Sequence, residues 1–403
     1  MLNSSKTYKI TAVVPRFSTM IRGGAEKHAY DVLSIFPANC DLTILTSTAL
    51  DYITWNNYFK PGISIFERFK IERFQNLKTR NIKKFNQLSQ KLYSKFPNQS
   101  SEEEQDWLEC QGPYCPDLIK RIEETKAETD LFIFFSYLYY PILNGIKIVP
   151  EKSIFVPMFH DEFPINLIQY KQVYDDKLYY AFNTPEERNL FERVFNFKPS
   201  KQTFVGTYIQ SSNYDEILTK TQKQKEAKET KILLTIGRMD LGKGIYDLVQ
   251  NFQRWKDTGN RNCELHLIGA NPPKLISKFA SKSIRFLGAL SEFDKNQEIQ
   301  NADILINPSS VESFSIVVME AWFQRTPILV NANSDVLVGH CKRSNGGLWY
   351  TDFESFAGTL NFMLNNNEIL TQMGNNGRKY VEANFSKDVI KEKWRKLLEI
   401  NLS

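Results

Sequence analysis

Two loops of this sequence carry residue types suited to holding a phosphorylated, hydroxyl-rich ligand. In Gly237-Arg238-Met239-Asp240-Leu241-Gly242-Lys243-Gly244, an arginine and a lysine stand five positions apart on a glycine-bearing stretch that leads into a helical pattern. Two fixed positive charges beside the positive end of a helix suit a diphosphate. A solvated basic turn is the plain alternative. The P-loop pattern GxxxxGK[ST] is absent, because Gly244 follows the lysine.

The second loop follows the strand-like ADILINPS (302–309) and reads Glu312-Ser-Phe-Ser-Ile-Val-Val-Met-Glu-Ala321. If Glu312 and Glu320 were both helical they would lie about 80° apart around the axis and roughly 12 Å along it. Carboxylate pairs that act together on a glycosidic bond stand roughly 5 to 9.5 Å apart. Two acids on one atom therefore fit poorly. Two acids gripping the ends of one extended ligand fit better, since carboxylates accept strongly from vicinal hydroxyls, a sugar at one end and a ribose at the other. The backbone N–H groups of Ser313 and Ser315 would add donors. A capping glutamate followed by a surface glutamate is the competing interpretation.

A third stretch, Arg22-Gly23-Gly24-Ala25-Glu26, ends at a helix start. Adjacent glycines permit positive φ and close approach of a ligand, and the helix end offers N–H groups to an anion; a tight turn would need the same residues. GxGxxG is missing, which argues against a dinucleotide-binding oxidoreductase.

These loops need strands and helices to aim them. In the first half, KITAVVPRF (9–17), DLTILTST (41–48), LFIFFSY (131–137), SIFVPMFH (153–160), KLYYAFNT (177–184) and KQTFVGTYI (201–209) read as strands, with a helix over 24–36 and a less ordered insertion over 50–128. Residues 211–231 are polar and charged and read as a crossing between domains. A second series follows, with strands at 230–238, 263–270, 283–290, 302–309 and 326–332 and helices at 244–255 and about 314–324. Helical patterns at 353–365, 368–384 and 387–400 close the chain. Strands interleaved with helices imply two doubly wound α/β domains, Rossmann-like, with ligands beyond the carboxyl ends of the strands. The expected boundaries are 1–209, with the last helix 387–403 packing back on it, and 210–386.

A chain of 403 residues, 42% hydrophobic and 24% charged, suits two such domains. Its apolar start, Ile10 to Val14, is too short for a secretory signal, and no apolar run reaches the roughly 20 residues of a membrane span. A cytoplasmic protein is expected. Five scattered cysteines without a CxxC pair argue against a disulfide framework or a zinc site. Residues 66–95 carry nine Lys or Arg against two Glu, a local excess over the net charge of +5. Within this region, 79–96 spaces Ile82, Phe85, Leu88, Leu92 and Phe96 at helical intervals among Arg80, Lys83, Lys84, Lys91 and Lys95. Such a helix would either pack its stripe on its own domain or rest on an anionic membrane surface at the inner face of the membrane. No nucleic-acid motif accompanies it, so no nucleic-acid partner is expected.

Gly237-Arg238 with Lys243, and the E-x7-E of Glu312 and Glu320 after ADILINPS, resemble the retaining nucleotide-sugar glycosyltransferases of family 4, which have the GT-B fold. The likeness extends to GGAEKHAYDVL (23–33), GPYCPDLI (112–119), the HDE of 160–162, FNTPEER (182–188), HCKRSNGGLWY (340–350) and GNNGRKYVEANFS (374–386). It implies a nucleotide-sugar donor, UDP- or GDP-linked, held mainly by the second domain, with a glycan or lipid-linked acceptor entering from the first. Arg238 and Lys243 would hold the diphosphate, Glu312 the transferred sugar and Glu320 the ribose hydroxyls. Gly237, Ser313, Phe314 and Ser315 would complete the donor site, with Gly23 and Gly24 facing it across a cleft and His160 near the sugar. A structural histidine bonded to Asp161 is the other reading of His160. Ser313 stands where the family often has glycine, which leaves the choice of sugar open.

The resemblance further implies retention of configuration, with charge on the departing phosphate stabilised by Arg238, Lys243 and helix dipoles. Four histidines and no DxD in the loops fit a metal-independent enzyme without a cofactor beyond the nucleotide sugar. The expected activity is hexosyl transfer in cell-surface polysaccharide synthesis. A catalytically silent GT-B protein that binds sugar or acts as a scaffold is the alternative.

Overall fold

The computed structural model describes all residues except 1, 2, 4, 19, 21, 22, 210–229, 240, 260, 261, 271, 272 and 403. The described chain divides into two compact units, residues 1–207 with 390–403, and residues 208–389. Most of the crossing expected over 211–231 lies outside the described residues.

In the first unit the β-branched and aromatic runs form β1 (Tyr8–Val13), α1 (Gly24–Ser34), β2 (Cys40–Ser47), β3 (Gly62–Phe66) and β4 (Phe69–Phe74). These are followed by α2 (Ile82–Lys95), α3 (Ser101–Gln111), α4 (Pro116–Thr125), β5 (Leu131–Phe135) and α5 (Tyr140–Ile148). Strand β6 (Ser153–Val156), the short α6 (Ile168–Lys171), β7 (Tyr179–Phe182), α7 (Pro185–Phe195) and β8 (Gln202–Phe204) complete the series. The sheet order is β3-β4-β2-β1-β5-β6-β7-β8, and among its pairings only β3 with β4 is antiparallel. The five residues of β5, LFIFF, are all buried, as a central parallel strand covered on both faces requires.

The region 50–128 is more regular than its sequence suggests, because it adds the β3–β4 hairpin and three helices. The apolar stripe of α2 is largely used for packing. Leu92 is buried, Phe85 and Leu88 join the same core, and Phe85 lies 5.8 Å from the Trp107 ring of α3. Lys91 and Lys95 pair with Glu103, while Lys83 and Lys84 are exposed and Ile82 and Phe96 flank the packed stripe.

The second unit contains β9 (Lys231–Ile236), α8 (Ile245–Asp257), β10 (Cys263–Ile268), α9 (Pro273–Phe279), β11 (Ile284–Gly288), α10 (Glu292–Asn301) and β12 (Ile304–Asn307). It continues with α11 (Ile316–Phe323), β13 (Ile328–Asn331), α12 (Asp335–Ser344), β14 (Gly347–Tyr350), α13 (Phe353–Leu364) and α14 (Asn367–Phe385). The sheet runs β11-β10-β9-β12-β13-β14, all parallel. Its strand order reverses between β9 and β12, and a doubly wound sheet binds its ligand beyond the carboxyl ends of the strands at such a switch point. Helix α15 (Lys387–Leu402) starts in this unit, and its body from Ile390 belongs to the first, where Trp394 lies 5.4 Å from the Phe36 ring.

Candidate functional site

The loops that leave β9 and β12 flank the switch point, and they carry the charged residues singled out above. After β9 the backbone passes through Gly237 at φ 153° and a 3-10 turn over Leu241–Lys243, then enters α8 from Gly244 at φ 68°. Both angles favour glycine. A Cβ on Gly244 would also run into the carbonyl of Pro308, so the loop after β9 lies directly against the end of β12. Asn331 donates to that same carbonyl at 3.0 Å.

After β12 the chain is shaped by its own polar side chains. Asn307 Oδ1 accepts from Ser309 N at 3.0 Å, and Asn307 Nδ2 donates to Ser315 Oγ at 3.0 Å. Ser315 adopts φ 69° at the N-cap of α11, an uncommon conformation for a residue with a Cβ. Holding it there typically costs about 1–3 kcal/mol, and such strain concentrates at ligand sites. Helix α11 thus begins at Ile316, Glu312 lies in the loop before it, and Glu320 lies on the helix.

Each glutamate has its own lysine. Lys243 Nζ lies 2.7 Å from Glu312 Oε1, joining the two loops across the switch point. Lys295, on α10, places Nζ 3.0 Å from both oxygens of Glu320 and 2.8 Å from Glu292 Oε2. Lys295 and Glu320 are both largely buried, each side chain 13% exposed. Burial opposes the Lys295 charge, but Glu320 and Glu292 outweigh it and hold the ammonium above the ordinary lysine range. Lys295 is not singled out by its sequence, because EFDKNQEIQN (292–301) has no apolar periodicity that separates a buried face from a wet one.

Helix α10 is fixed to the sheet by a further charged group. His266 of β10 lies with Nδ1 3.0 Å from Glu298 of α10 and Nε2 3.0 Å from Glu264. Burial disfavours its charge, yet the two carboxylates together hold it above the ordinary histidine range.

Phe314, expected at the donor, instead buries its ring 4.9 Å from Phe385 and 5.7 Å from His340. Its side chain packs the loop against these two rings. Burial and nearby Arg343 lower His340 to about 3, so it stays neutral at neutral pH.

In the first unit, Gly23 is the N-cap of α1 at φ −76° and Gly24 opens the helix. Positive φ at Gly23 is therefore not the reason for the glycine; space is. A Cβ on Gly23 would run into the Glu26 carboxylate, whereas one on Gly24 would meet nothing within 4 Å. Glu26 is paired at 2.5 Å with the buried Arg16, which stacks over Tyr52 at 4.9 Å. Arg22 lies outside the described residues, as does Asp240 in the other loop.

His160 follows β6 in the same unit. Its Nδ1 is 3.5 Å from Glu162, which accepts from Tyr137 Oη at 2.7 Å, while Asp161 pairs with Arg193 at 2.6 Å. The alternative reading, a His160 bonded to Asp161, gives way to these two separate pairs. Glu187 of α7, buried, accepts from Phe159 N at 2.7 Å and Asn183 N at 2.6 Å and so ties the His160 loop to the end of β7. Burial pushes its carboxyl up to about 8 against the pull of these backbone donors.

Residues 216–380 match the sequence model of the family described as Glycosyl transferases group 1. This stretch contains both loops of the switch point. The chain is 23% identical over 218 residues to the alpha-monoglucosyldiacylglycerol synthase of Acholeplasma laidlawii, covering 53% of this chain and 52% of that protein. It is 26% identical over 181 residues to the capsular polysaccharide biosynthesis glycosyltransferase CapM of Staphylococcus aureus, covering 39% and 43%. The chain thus spans about half the length of the curated relatives it matches. Among solved structures, Anabaena Alr3699/HepE in complex with UDP and glucose is similar at a TM-score of 0.66 and 12% identity, over 97% of this chain and 99% of that one. At that identity the likeness carries the fold, and the fold of this chain is GT-B.

Proposed function

We propose that this protein is a retaining glycosyltransferase of family 4 that moves a hexose from a UDP- or GDP-linked sugar to a glycan or lipid-linked acceptor in cell-surface polysaccharide or glycolipid synthesis. The observation that carries the reading is the Lys243–Glu312 pair across the switch point, an ammonium that can bond a phosphate oxygen next to a carboxylate that can accept from a sugar hydroxyl. The names of the two relatives, a glycolipid synthase and a capsule enzyme, support the acceptor class.

In this reading Lys243 and Arg238 meet the diphosphate, Glu312 the sugar and Glu320 the ribose, while the backbone of Gly237 and of residues 313–315 lines the donor. The acceptor hydroxyl attacks the anomeric carbon from the side on which the carbon–phosphate oxygen bond breaks, and the departing phosphate takes the hydroxyl proton. The products are a glycoside of unchanged configuration and a nucleoside diphosphate. The chain's own cations supply the charge that the leaving group needs, so the reaction is proposed to be metal-independent. Gly23 and Gly24 are proposed to contribute to donor binding, and His160 to serve the transferred sugar.

The test is turnover of nucleotide sugars by the intact protein, read as release of nucleoside diphosphate. Lys243→Ala and Glu320→Ala are expected to lower it severely, and unchanged turnover in either would overturn these roles. A silent sugar-binding protein would bind donor without release.

A further inference from the structure

The ammonium of Lys295 has three N–H donors, and three carboxylate oxygens stand within 3.0 Å of it: both of Glu320 and one of Glu292. Its donors are therefore committed within the protein. Glu292 is well exposed, so water screens that contact, whereas Glu320 is largely buried beside the lysine. A lysine equidistant from both oxygens donates one bond to each and restrains the direction of the carboxylate. Each oxygen keeps a second lone-pair direction, and the two together match a pair of vicinal hydroxyls.

The lysine is itself anchored. Helix α10 is capped by Ser291, whose side chain accepts from Asp294 N at 3.1 Å. One turn beyond Lys295, Glu298 bonds His266 of β10. Next to Lys295, Asn296 accepts from Gln324 at the end of α11. A helix held to both the strand and α11 can set the direction of a carboxylate on α11 more tightly than a surface lysine could.

We infer that Lys295 is a positioning residue for the nucleotide: it acts through Glu320, presenting that carboxylate to the ribose diol without touching the ligand. The inference rests on the donor reading given above, in which Glu320 meets the ribose. It predicts that Lys295 governs nucleotide affinity and that its effect vanishes when either Glu320 or a ribose hydroxyl is removed.

The test is calorimetric binding of UDP and GDP, and of their 2′-deoxy forms, to the full chain. Lys295→Met and Glu320→Gln are each expected to weaken the ribonucleotide that binds wild type by roughly 10-fold to 100-fold. The double variant should bind no more weakly than Glu320→Gln alone, and the 2′-deoxy nucleotide should scarcely distinguish wild type from Lys295→Met. Lys295→Arg, which keeps the charge, should lie closer to wild type than Lys295→Met does. If Lys295→Met melts too early to measure, the double variant, which leaves no buried charge unpaired, and Lys295→Arg carry the comparison. Wild-type affinity in Lys295→Met alongside a weakened Glu320→Gln, or additive losses in the double variant, would overturn the inference. Wild-type affinity in Glu320→Gln, or no binding of either nucleotide to wild type, would instead overturn the donor reading beneath it.

Discussion

Lys243 and Glu312, 69 positions apart in the chain, meet at 2.7 Å where the loops from β9 and β12 converge. The pair is partly buried, with the lysine side chain 25% and the glutamate 12% exposed, so the lysine is held in one place instead of sweeping through solvent. The sequence reading treats these two residues as grips on different parts of the ligand; the structure makes each the support of the other.

This relationship predicts that neither residue is dispensable. Lys243→Ala should lower kcat by about 10²–10³, the usual loss on removing one donor to a developing negative charge. Glu312→Gln should both raise the donor KM and lower kcat, because it disturbs the lysine as well as the sugar contact. Steady-state kinetics on nucleotide-sugar turnover measures both. A Glu312→Gln enzyme with wild-type constants would contradict the shared role.

The glycines separate into those that need space or an unusual φ and those that do not. Gly244→Ala would place a Cβ at φ 68° against the Pro308 carbonyl, and should cost about 1–3 kcal/mol of stability with a loss of donor affinity. Gly24→Ala meets open space on a helix and should be neutral or stabilising by up to about 1 kcal/mol. Denaturant unfolding of the two variants distinguishes them, and equal destabilisation would show that the loop geometry is wrong.

His266 makes stability depend on pH. Its folded pKa is raised by Glu298 and Glu264, so its contribution is fully present below the unfolded value of about 6.5 and is lost as pH rises through the folded one. Thermal melting followed from pH 6 upward should fall more steeply for wild type than for His266→Gln. Parallel slopes would exclude this source.

Helix α2 offers Lys83 and Lys84 to solvent at the end marked by the exposed Ile82, after its central stripe is consumed by the core. If this end touches an anionic membrane surface, sedimentation with anionic vesicles should be reduced by Lys83→Glu with Lys84→Glu, while the melting temperature stays within a degree or two of wild type. Binding indifferent to those reversals would leave α2 a structural helix.

Much of the architecture is legible because β-rich runs such as LFIFF and KILLTI alternate with helical spacing, and because the loops with charged residues fall at strand ends. The β3–β4 hairpin is not legible: Ile63 and Ile65 face solvent, so ISIFERFKIERF shows no clean inward face, and no glycine or asparagine marks the turn at Glu67. Helix α10 hides for a related reason, since a polar segment with a lone lysine reads as surface until Glu320 is seen beside it. The burial of the Phe314 ring beside His340 and Phe385 is likewise not legible from its place next to a charged motif.

The most direct measurement is a panel of UDP- and GDP-sugars tested on the purified protein by thermal shift and then by release of nucleoside diphosphate, with Lys243→Ala and Glu320→Ala in parallel. At least one donor should raise the melting temperature and be turned over by wild type, and both variants should lose most of that turnover. A panel in which no donor shifts melting or is turned over, or in which the variants perform as wild type, would contradict the proposed function.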